Sequence, residues 1–246
     1  MELDIIISLV TLTFMEIVLG IDNIIFISIT ADKLPKHQQG SARTLGIALA
    51  LLVRIALLFS IAWIVGLTEP VATINLPDWM RETPYALSWR DIILFAGGLF
   101  LLAKSTTEIH GKIEGHHEQA KAGKAASLRS VIFQIVMLDI VFSFDSILTA
   151  VGLVKEIWVM VVAVIVSMVI MLAAAGKIAA FINKHPTVKI LALSFLLLIG
   201  FMLVIEGLHF HVPKGYIYFA IFFSLFVELI NMRVRKNQPK PIEEGA

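Results

Sequence analysis

Seven long apolar runs divide this chain, and each is long enough to cross a lipid bilayer as an α-helix. A spanning helix needs about 20 mostly apolar residues. Charged residues make up only 16% of the chain and lie mostly between the runs, whereas soluble domains carry about 25%. We therefore predict an all-α integral membrane protein surrounded by lipid, with seven transmembrane helices. The predicted spans are 4–29, 44–66, 91–109, 130–151, 156–178, 189–208 and 215–232.

The basic residues predict the orientation, because cytoplasmic loops of membrane proteins carry an excess of Lys and Arg. Fourteen of these residues fall on one side of the predicted spans and four on the other. The N-terminus is therefore predicted to lie outside and the C-terminus in the cytoplasm. The loop 110–129, rich in His, Glu and Lys, and the tail 233–246 are then cytoplasmic. The net charge of +1 gives no reason to expect a nucleic-acid partner.

Two of the predicted spans carry the same pattern of acidic residues. Residues 15–26 and 138–149 align without gaps. The aligned polar pairs are Glu16 with Asp139, Asp22 with Asp145, and Asn23 with Ser146. Apolar identities between membrane helices mean little, but two acids at the same spacing in two spans indicate an internal repeat. A weaker similarity links 98–104 with 200–206.

The two copies begin three spans apart, so the second copy would cross the membrane in the opposite direction. Such inverted repeats are typical of secondary transporters, whose binding sites lie near the bilayer midplane between the copies. We predict a transmembrane domain over 1–232 with a 3+3 arrangement. It consists of repeat one (4–109), repeat two (130–208) and one extra helix (215–232).

The acidic residues need compensation inside a membrane. A carboxylate at mid-bilayer costs at least roughly 2.5–3.5 kcal/mol, which protonation, a water-filled cavity or a bound cation can offset. Positions seven apart share a helix face, so Glu16 lies with Asn23, whereas Asp22 lies off that face. The sequence permits a local helix break near Gly20 or near Ser143 that would turn the second acid of a motif inward.

The motifs supply only oxygen donors, which are carboxylates, an amide and hydroxyls. Such hard donors suit Mg²⁺, Ca²⁺ and Mn²⁺. The chain has no Cys and the motifs have no His, so Zn²⁺ or Cu⁺ is a less natural choice. The alternative is that the acids only form hydrogen bonds between helices or pair with Arg54.

Four of the other charged residues within the predicted spans have more than one interpretation. Arg54 is either a counter-charge that occupies the acids after a metal leaves or a structural ion pair. Lys104 either extends to the membrane interface or acts as a gate, and Glu206 fits an outer vestibule. Glu228 either lines the pathway or ties the extra helix to the others. The His and Glu residues of the cytoplasmic loop either capture metal or belong to a solvated linker.

The motifs in full are Glu16-Ile-Val-Leu-Gly-Ile-Asp22-Asn23 and Asp139-Ile-Val-Phe-Ser-Phe-Asp145-Ser146. They resemble the paired signatures of the TerC family of bacterial membrane proteins, and the runs 97–104 and 211–216 are similar to that family too. The resemblance covers nearly the whole chain, without an appended soluble domain. It implies a location in the bacterial inner (plasma) membrane.

The resemblance also implies a fold and a function. The family is related to the LysE superfamily of exporters, with seven helices and a pseudo-twofold repeat, and its members are associated with Mn²⁺ efflux and metal homeostasis. Its name comes from tellurite resistance, although a carboxylate cluster would repel that oxyanion. The metal residues that the resemblance implies are Glu16, Asp22, Asn23, Asp139, Asp145 and Ser146.

We predict a secondary transporter, not an enzyme, that exports a divalent cation, with Mn²⁺ as substrate and Ca²⁺ as the alternative. The two repeats would rock about a midplane site. No GxxxxGK[ST] run for ATP binding occurs, so an ion gradient would drive transport. In proton antiport the same carboxylates would exchange metal for protons. The other hypothesis is a non-transporting membrane partner that delivers metal or acts in metal or tellurite stress. A homo-oligomer is compatible with both.

Overall fold

The computed structural model describes residues 2–74, 85–114, 127–154, 156–210 and 212–236. Seven helices in these ranges are long and apolar enough to cross a membrane, which confirms the all-α membrane fold. The helices are α1 (Glu2–Ala31), α2 (Lys36–Phe59), α3 (Ile61–Gly66), α4 (Trp89–Ile113), α5 (Leu128–Leu153), α6 (Ile157–Lys184), α7 (Pro186–Gly207) and α8 (Lys214–Lys236). Two strands, β1 (Pro70–Ile74) and β2 (Tyr85–Ser88), lie between α3 and α4.

The predicted span 44–66 is wrong in one respect, because it covers two helices and not one. α2 ends at Phe59, and the amide of Ser60 donates to carbonyl groups in the last turn of α2. The short α3 then begins at Ile61. The residues on both sides of this turn are apolar, so composition alone does not reveal it.

Helix α4 is longer than its predicted span of 91–109, because polar residues continue it beyond the apolar stretch. It begins at Trp89 with a capping box. The Ser88 side chain accepts from the Asp91 amide at 3.2 Å, and the Asp91 carboxylate accepts from the Ser88 amide at 2.8 Å. These contacts satisfy backbone donors that the first turn of a helix leaves unpaired.

The two predicted cytoplasmic segments are partly helical. α4 covers the first residues of the loop 110–129, and α8 continues to Lys236 within the predicted tail 233–246. Residues 115–126 and 237–246 lie outside the described ranges. Metal capture by the loop therefore stays a prediction.

The connection between α3 and α4 contains a strand pair that the sequence analysis did not predict. β1 and β2 pair in antiparallel fashion. The Tyr85 hydroxyl donates to the carbonyl of Gly207 at the end of α7, and the Tyr85 ring lies 4.7 Å from that of His209. The strand pair is therefore attached to the C-terminal end of α7.

The spanning helices pack as two groups. α1 packs mainly on α6, and α2 packs on α5 and α6, so these four helices form one bundle. α4 packs along α7, and we call these two helices the α4–α7 pair. α8 packs on α7, and its aromatic and aliphatic side chains are largely exposed, as expected for a helix that faces lipid.

Two glycines allow α4 and α7 to cross closely. A Cβ atom on Gly98 would lie 2.6 Å from the Gly200 carbonyl oxygen, and one on Gly200 would lie 3.0 Å from the Gly98 carbonyl oxygen. Small residues permit such an approach between membrane helices.

The weaker sequence similarity aligns these same two positions. The predicted repeat matches α1 with α5 and α2 with α6. The contact between α1 and α6 in one half therefore corresponds to the contact between α5 and α2 in the other. The inverted repeat and the N-out orientation stay predictions.

Candidate functional site

A buried ion triad joins the first acid of each motif. Arg54, on α2, donates through Nη1 to Glu16 at 2.6 Å and through Nη2 to Asp139 at 2.8 Å. Its Nε lies 3.2 Å from both Asp139 carboxylate oxygens. Arg54, Glu16 and Asp139 are only 3%, 5% and 4% exposed. A buried charge is destabilising unless it has a partner of opposite charge, and Arg54 has two such partners. This contact is the ion pair that was one of the two interpretations of Arg54.

Polar side chains from both motifs surround the triad. Asn23 donates through Nδ2 to Asp139 at 3.1 Å, and the Ser143 hydroxyl donates to the other oxygen of Asp139 at 3.2 Å. The Ser146 hydroxyl donates to the carbonyl of Ser143 at 3.2 Å. The structure therefore gathers the first acid of each motif, Asn23 and the two serines around one guanidinium.

Both motif helices are continuous, so the proposed breaks near Gly20 and Ser143 are wrong. α1 remains helical from Glu2 to Ala31, and α5 from Leu128 to Leu153. A Cβ atom on Gly20 would lie 2.2 Å from the sulfur of Met171, so this glycine allows α1 to pack on α6. Without a break, Glu16 and Asp139 both reach Arg54 on α2.

Asp22 lines a recess between the four-helix bundle and the helices α7 and α8. The recess has a cavity volume of about 80 Å³. Apolar side chains of α7 and α8, including Met202 and Tyr218, form much of its wall. Its polar lining residues are Asp22, Asn23, Arg54, Ser146 and Glu206. The recess therefore brings the second acid of the first motif close to the triad.

Two oxygen acceptors at this recess have no partner within the described ranges. Asp22 is 8% exposed, and its carboxylate forms no hydrogen bond or ion pair with those residues. Asn23 uses its amide nitrogen on Asp139, but its Oδ1 is buried without a partner there. Buried polar groups are normally satisfied, so these oxygens mark a place where a ligand with positive charge would fit.

The four acids do not all converge as the sequence analysis allowed. Glu16 faces a separate, mostly apolar cavity of about 10 Å³, whereas Asp22 faces the recess. Asp145 lies within α5, but its side chain is outside what the structure describes. Among the described residues, no group of three or more acidic or His side chains is arranged to hold a metal ion. Arg54 instead occupies the position between Glu16 and Asp139.

The other predicted residues lie apart from the triad. Glu206 lines the recess and accepts from Arg90 at 2.7 Å, which agrees with a vestibule at that end. Lys104 is at the opposite end of the molecule, with its ammonium 3.5 Å from Glu108. Glu228 is partly buried on α8 and does not line the recess.

The sequence analysis missed a buried polar cluster at the start of α4. Asp91 is 1% exposed and accepts from the amide and hydroxyl of Ser88 at 2.8 and 2.7 Å. The Nε2 atom of His209 lies 2.8 Å from the same carboxylate oxygen. The available signal was the spacing of Ser88 and Asp91, which is that of a helix N-terminus. The contact with His209 depends on the approach of α7.

Comparisons with known proteins give matches over nearly the whole chain. The model of the integral membrane protein TerC family matches residues 1–240. This chain belongs to the TerC family. The TerC-family chain is 50% identical to the UPF0053 inner membrane protein YgdQ of Escherichia coli (strain K12) over 232 residues, or 94% of each protein. A UPF0053 protein of Haemophilus influenzae (strain ATCC 51907 / DSM 11121 / KW20 / Rd) is also 50% identical over 232 residues, with the same coverage.

A longer relative contains a similar region. The UPF0053 inner membrane protein YoaE of Escherichia coli (strain K12) is 48% identical over 231 residues, which are 94% of this TerC-family chain but 43% of YoaE. No solved structure matches. The names of YgdQ and YoaE and the seven spanning helices confirm the predicted location, a multi-pass protein of the bacterial inner membrane.

Proposed function

We propose that this protein is a secondary transporter that exports a divalent metal cation, with Mn²⁺ as the first candidate substrate. The observation that carries the proposal is the recess where Asp22 and the Oδ1 atom of Asn23 lack partners among the described residues. An unpaired carboxylate inside a membrane is costly. A hard cation held by carboxylate, amide and hydroxyl oxygens would offset that cost.

The combined charge of Asp22 and the neighbouring triad suits a divalent cation. In their ionised forms Glu16, Asp22 and Asp139 carry three negative charges and Arg54 carries one positive charge, which leaves a formal charge of −2. Arg54 lines the recess and also contacts both acids of the triad. A bound divalent cation beside Asp22 would therefore make this set of side chains neutral.

Arg54 would neutralise buried carboxylates when the transporter holds no metal. When no metal is bound, its guanidinium keeps Glu16 and Asp139 paired, so the carrier can reorient without two unpaired buried carboxylates. This combines the two interpretations of Arg54, because an ion pair that holds the helices together also acts as the counter-charge in the transport cycle.

Flux into liposomes tests the proposal. Purified protein would be reconstituted, and saturable Mn²⁺ uptake compared between the native chain and the variants Asp22→Asn and Asp145→Asn. Asp22→Asn removes a charge without changing the side-chain shape, so we expect uptake at low Mn²⁺ to fall by at least about 10-fold, the lower end of the loss seen even for residues behind metal ligands. Glu156→Gln, an exposed acid at the start of α6, is the matched control and should transport normally.

Competition identifies the substrate. Ca²⁺, Mg²⁺ and Zn²⁺ would be added in turn to the Mn²⁺ assay. Inhibition by Ca²⁺ at lower concentration than Mn²⁺ itself requires, together with direct uptake of Ca²⁺, would make Ca²⁺ the substrate. Equal uptake by the native chain and Asp22→Asn would remove the recess as the transport site.

Proton antiport is the coupling that we propose, because carboxylates that release metal can take protons. An imposed pH gradient across the liposome should then drive Mn²⁺ against its own gradient. Flux that is independent of the pH gradient would exclude this coupling, although transport itself would stand.

One observation favours the alternative of a non-transporting membrane partner. The Arg54 triad is complete without a metal, and such a triad can serve a purely structural role. Folded, reconstituted protein that moves none of the tested cations would support that alternative. The acids would then form a static site.

A further inference from the structure

Two ionic contacts join the four-helix bundle to the α4–α7 pair at one end of the molecule. Both start from the turn between α1 and α2. Lys189 of α7 donates to Asp32 of the turn at 2.7 Å. Lys33, the next residue of the turn, forms an ion pair with Glu108 of α4. This end holds the residues that the charge pattern predicts to be cytoplasmic.

Neighbouring side chains hold the turn in place. Asn183, near the end of α6, donates to the second oxygen of Asp32 at 2.7 Å, and Gln39 donates to the carbonyls of Asp32 and Leu34 at 3.3 and 3.0 Å. Lys104 adds a second ammonium beside Glu108. The turn therefore has polar contacts with α6, α7 and α4.

The recess opens toward the other end of the same boundary. Glu206, the penultimate residue of α7, lines the recess, whereas Lys189 lies 17 positions earlier on that helix. At 1.5 Å per residue the two are about 25 Å apart along α7. The boundary between the two helix groups is thus open to the recess at one end and tied by ion pairs at the other.

The end that the ion pairs join also contains a buried hydroxyl without a hydrogen-bond partner among the described residues. Thr30, Ser105 and Glu108 line a small cavity of about 10 Å³ between α1, α4 and α7. The Thr30 hydroxyl is buried and has no hydrogen-bond partner within the described ranges. An unsatisfied buried hydroxyl costs free energy, and water entering this cavity would remove that cost. The contact between the two helix groups at this end is therefore stabilised by the ion pairs and destabilised by the unsatisfied Thr30 hydroxyl.

We propose that the α1–α2 turn is the cytoplasmic latch of an alternating-access cycle in which the α4–α7 pair moves against the four-helix bundle. The latch consists of the contacts Asp32–Lys189 and Lys33–Glu108. This inference rests on the proposed transport function. It replaces the prediction that one repeat rocks against the other, because each group contains helices from both repeats. The structure is the state with the latch closed and the recess open.

Thiol labelling tests the latch, because the chain has no Cys and an introduced Cys is the only thiol. Two reporters are needed in otherwise native protein. Ser105→Cys reports on the cavity behind the latch, where Ser105 is 2% exposed, and Met202→Cys reports on the recess. A membrane-impermeant maleimide would be applied to vesicles of each orientation without added metal. We expect Met202→Cys to react from the outside and Ser105→Cys to be protected from both sides.

Opening the latch should reverse this pattern. Lys189→Met or Glu108→Gln should increase cytoplasmic labelling of Ser105→Cys by about five-fold, the change expected from the loss of one modest ion pair. Outside labelling of Met202→Cys should fall. Exchanging the charges, with Asp32→Lys and Lys189→Asp together, should restore protection, which also controls for misfolding. Lys184→Met, which removes an exposed lysine at the end of α6, should change neither rate.

The outcomes separate this inference from the proposed function. Ser105→Cys that is labelled equally with and without the latch, or Met202→Cys that reacts only from the cytoplasm, would overturn the latch. A failure of the charge exchange to restore protection would do the same. Because labelling needs no metal, the expected pattern together with absent Mn²⁺ flux would refute the proposed substrate and leave the latch in place.

Discussion

Removing the guanidinium of Arg54 is the most informative perturbation of the site. Arg54→Met keeps most of the side-chain volume but leaves Glu16 and Asp139 buried without their cation. Breaking a buried ion pair by removing one partner costs about 3–5 kcal/mol. We expect a loss in that range, because both carboxylates are almost fully buried and receive four contacts from Arg54. Asp139 would keep its bonds from Asn23 and Ser143, so Glu16 would contribute the larger share.

The assay is reversible unfolding of the purified protein in detergent micelles. The free energy of unfolding would be compared for the native chain, Arg54→Met, and the triple variant Arg54→Met with Glu16→Gln and Asp139→Asn. The triple variant removes all three charges, so it should recover most of the loss, as neutral replacements of buried ion triads generally do. Mn²⁺ should stabilise Arg54→Met more than the native chain, since the cation can occupy the vacated place. Saturation at 100 times the dissociation constant would add about 2.7 kcal/mol.

Two results would refute this reasoning, and a third would locate the metal elsewhere. Arg54→Met with native stability would mean that the guanidinium does not compensate the acids. A triple variant no more stable than Arg54→Met would mean that the loss comes from side-chain packing and not from unpaired charge. Stabilisation by Mn²⁺ that is equal in both proteins would place the metal away from the triad.

The remaining predictions concern the framework that positions the site, and thermal unfolding in detergent measures all of them. Gly98→Ala should destabilise by about 1–3 kcal/mol, because its Cβ would meet the Gly200 backbone, which cannot move aside. Gly176→Ala is the matched control, since nothing lies within 4 Å of its Cβ position. It should be neutral or stabilise by up to roughly 1 kcal/mol, and a loss equal to that of Gly98→Ala would contradict the crossing. Ser88→Ala should cost about 1 kcal/mol through the lost α4 cap. An unchanged midpoint would show that the Asp91 contact with His209 holds this end by itself.

Much of the fold could be predicted because membrane insertion depends on local composition. Each run of about 20 apolar residues forms a helix whatever its neighbours do, since only a helix satisfies the backbone in lipid within a single segment. The turn at Ser60 and the two strands escaped prediction for the opposite reason. The turn lies within a uniformly apolar stretch, and β2 is held by contacts with Gly207 and His209 from a distant helix.

The sequence by itself identified the charged side chains that meet in the buried triad. The repeated acidic motifs identified Glu16 and Asp139 as related positions, and the depth of Arg54 in an apolar helix marked it as their partner. Such a charge is so costly in lipid that it must have a counter-charge in the fold. This inference needs no coordinates, because it depends only on where charges occur along apolar segments.

Only the tertiary structure decided which of these charged side chains are in contact. Arg54 and Asp139 are 85 positions apart, and Asn23 and Asp139 are 116 apart, so their contacts depend on which helices become neighbours. The helix faces suggested that Asp22 needed a break in α1 to turn inward. Instead, α1 stays straight against α6, and α7 with α8 forms a recess at Asp22. Helical spacing determines the direction of a side chain from its own axis, whereas the packing of the other helices determines what that side chain meets.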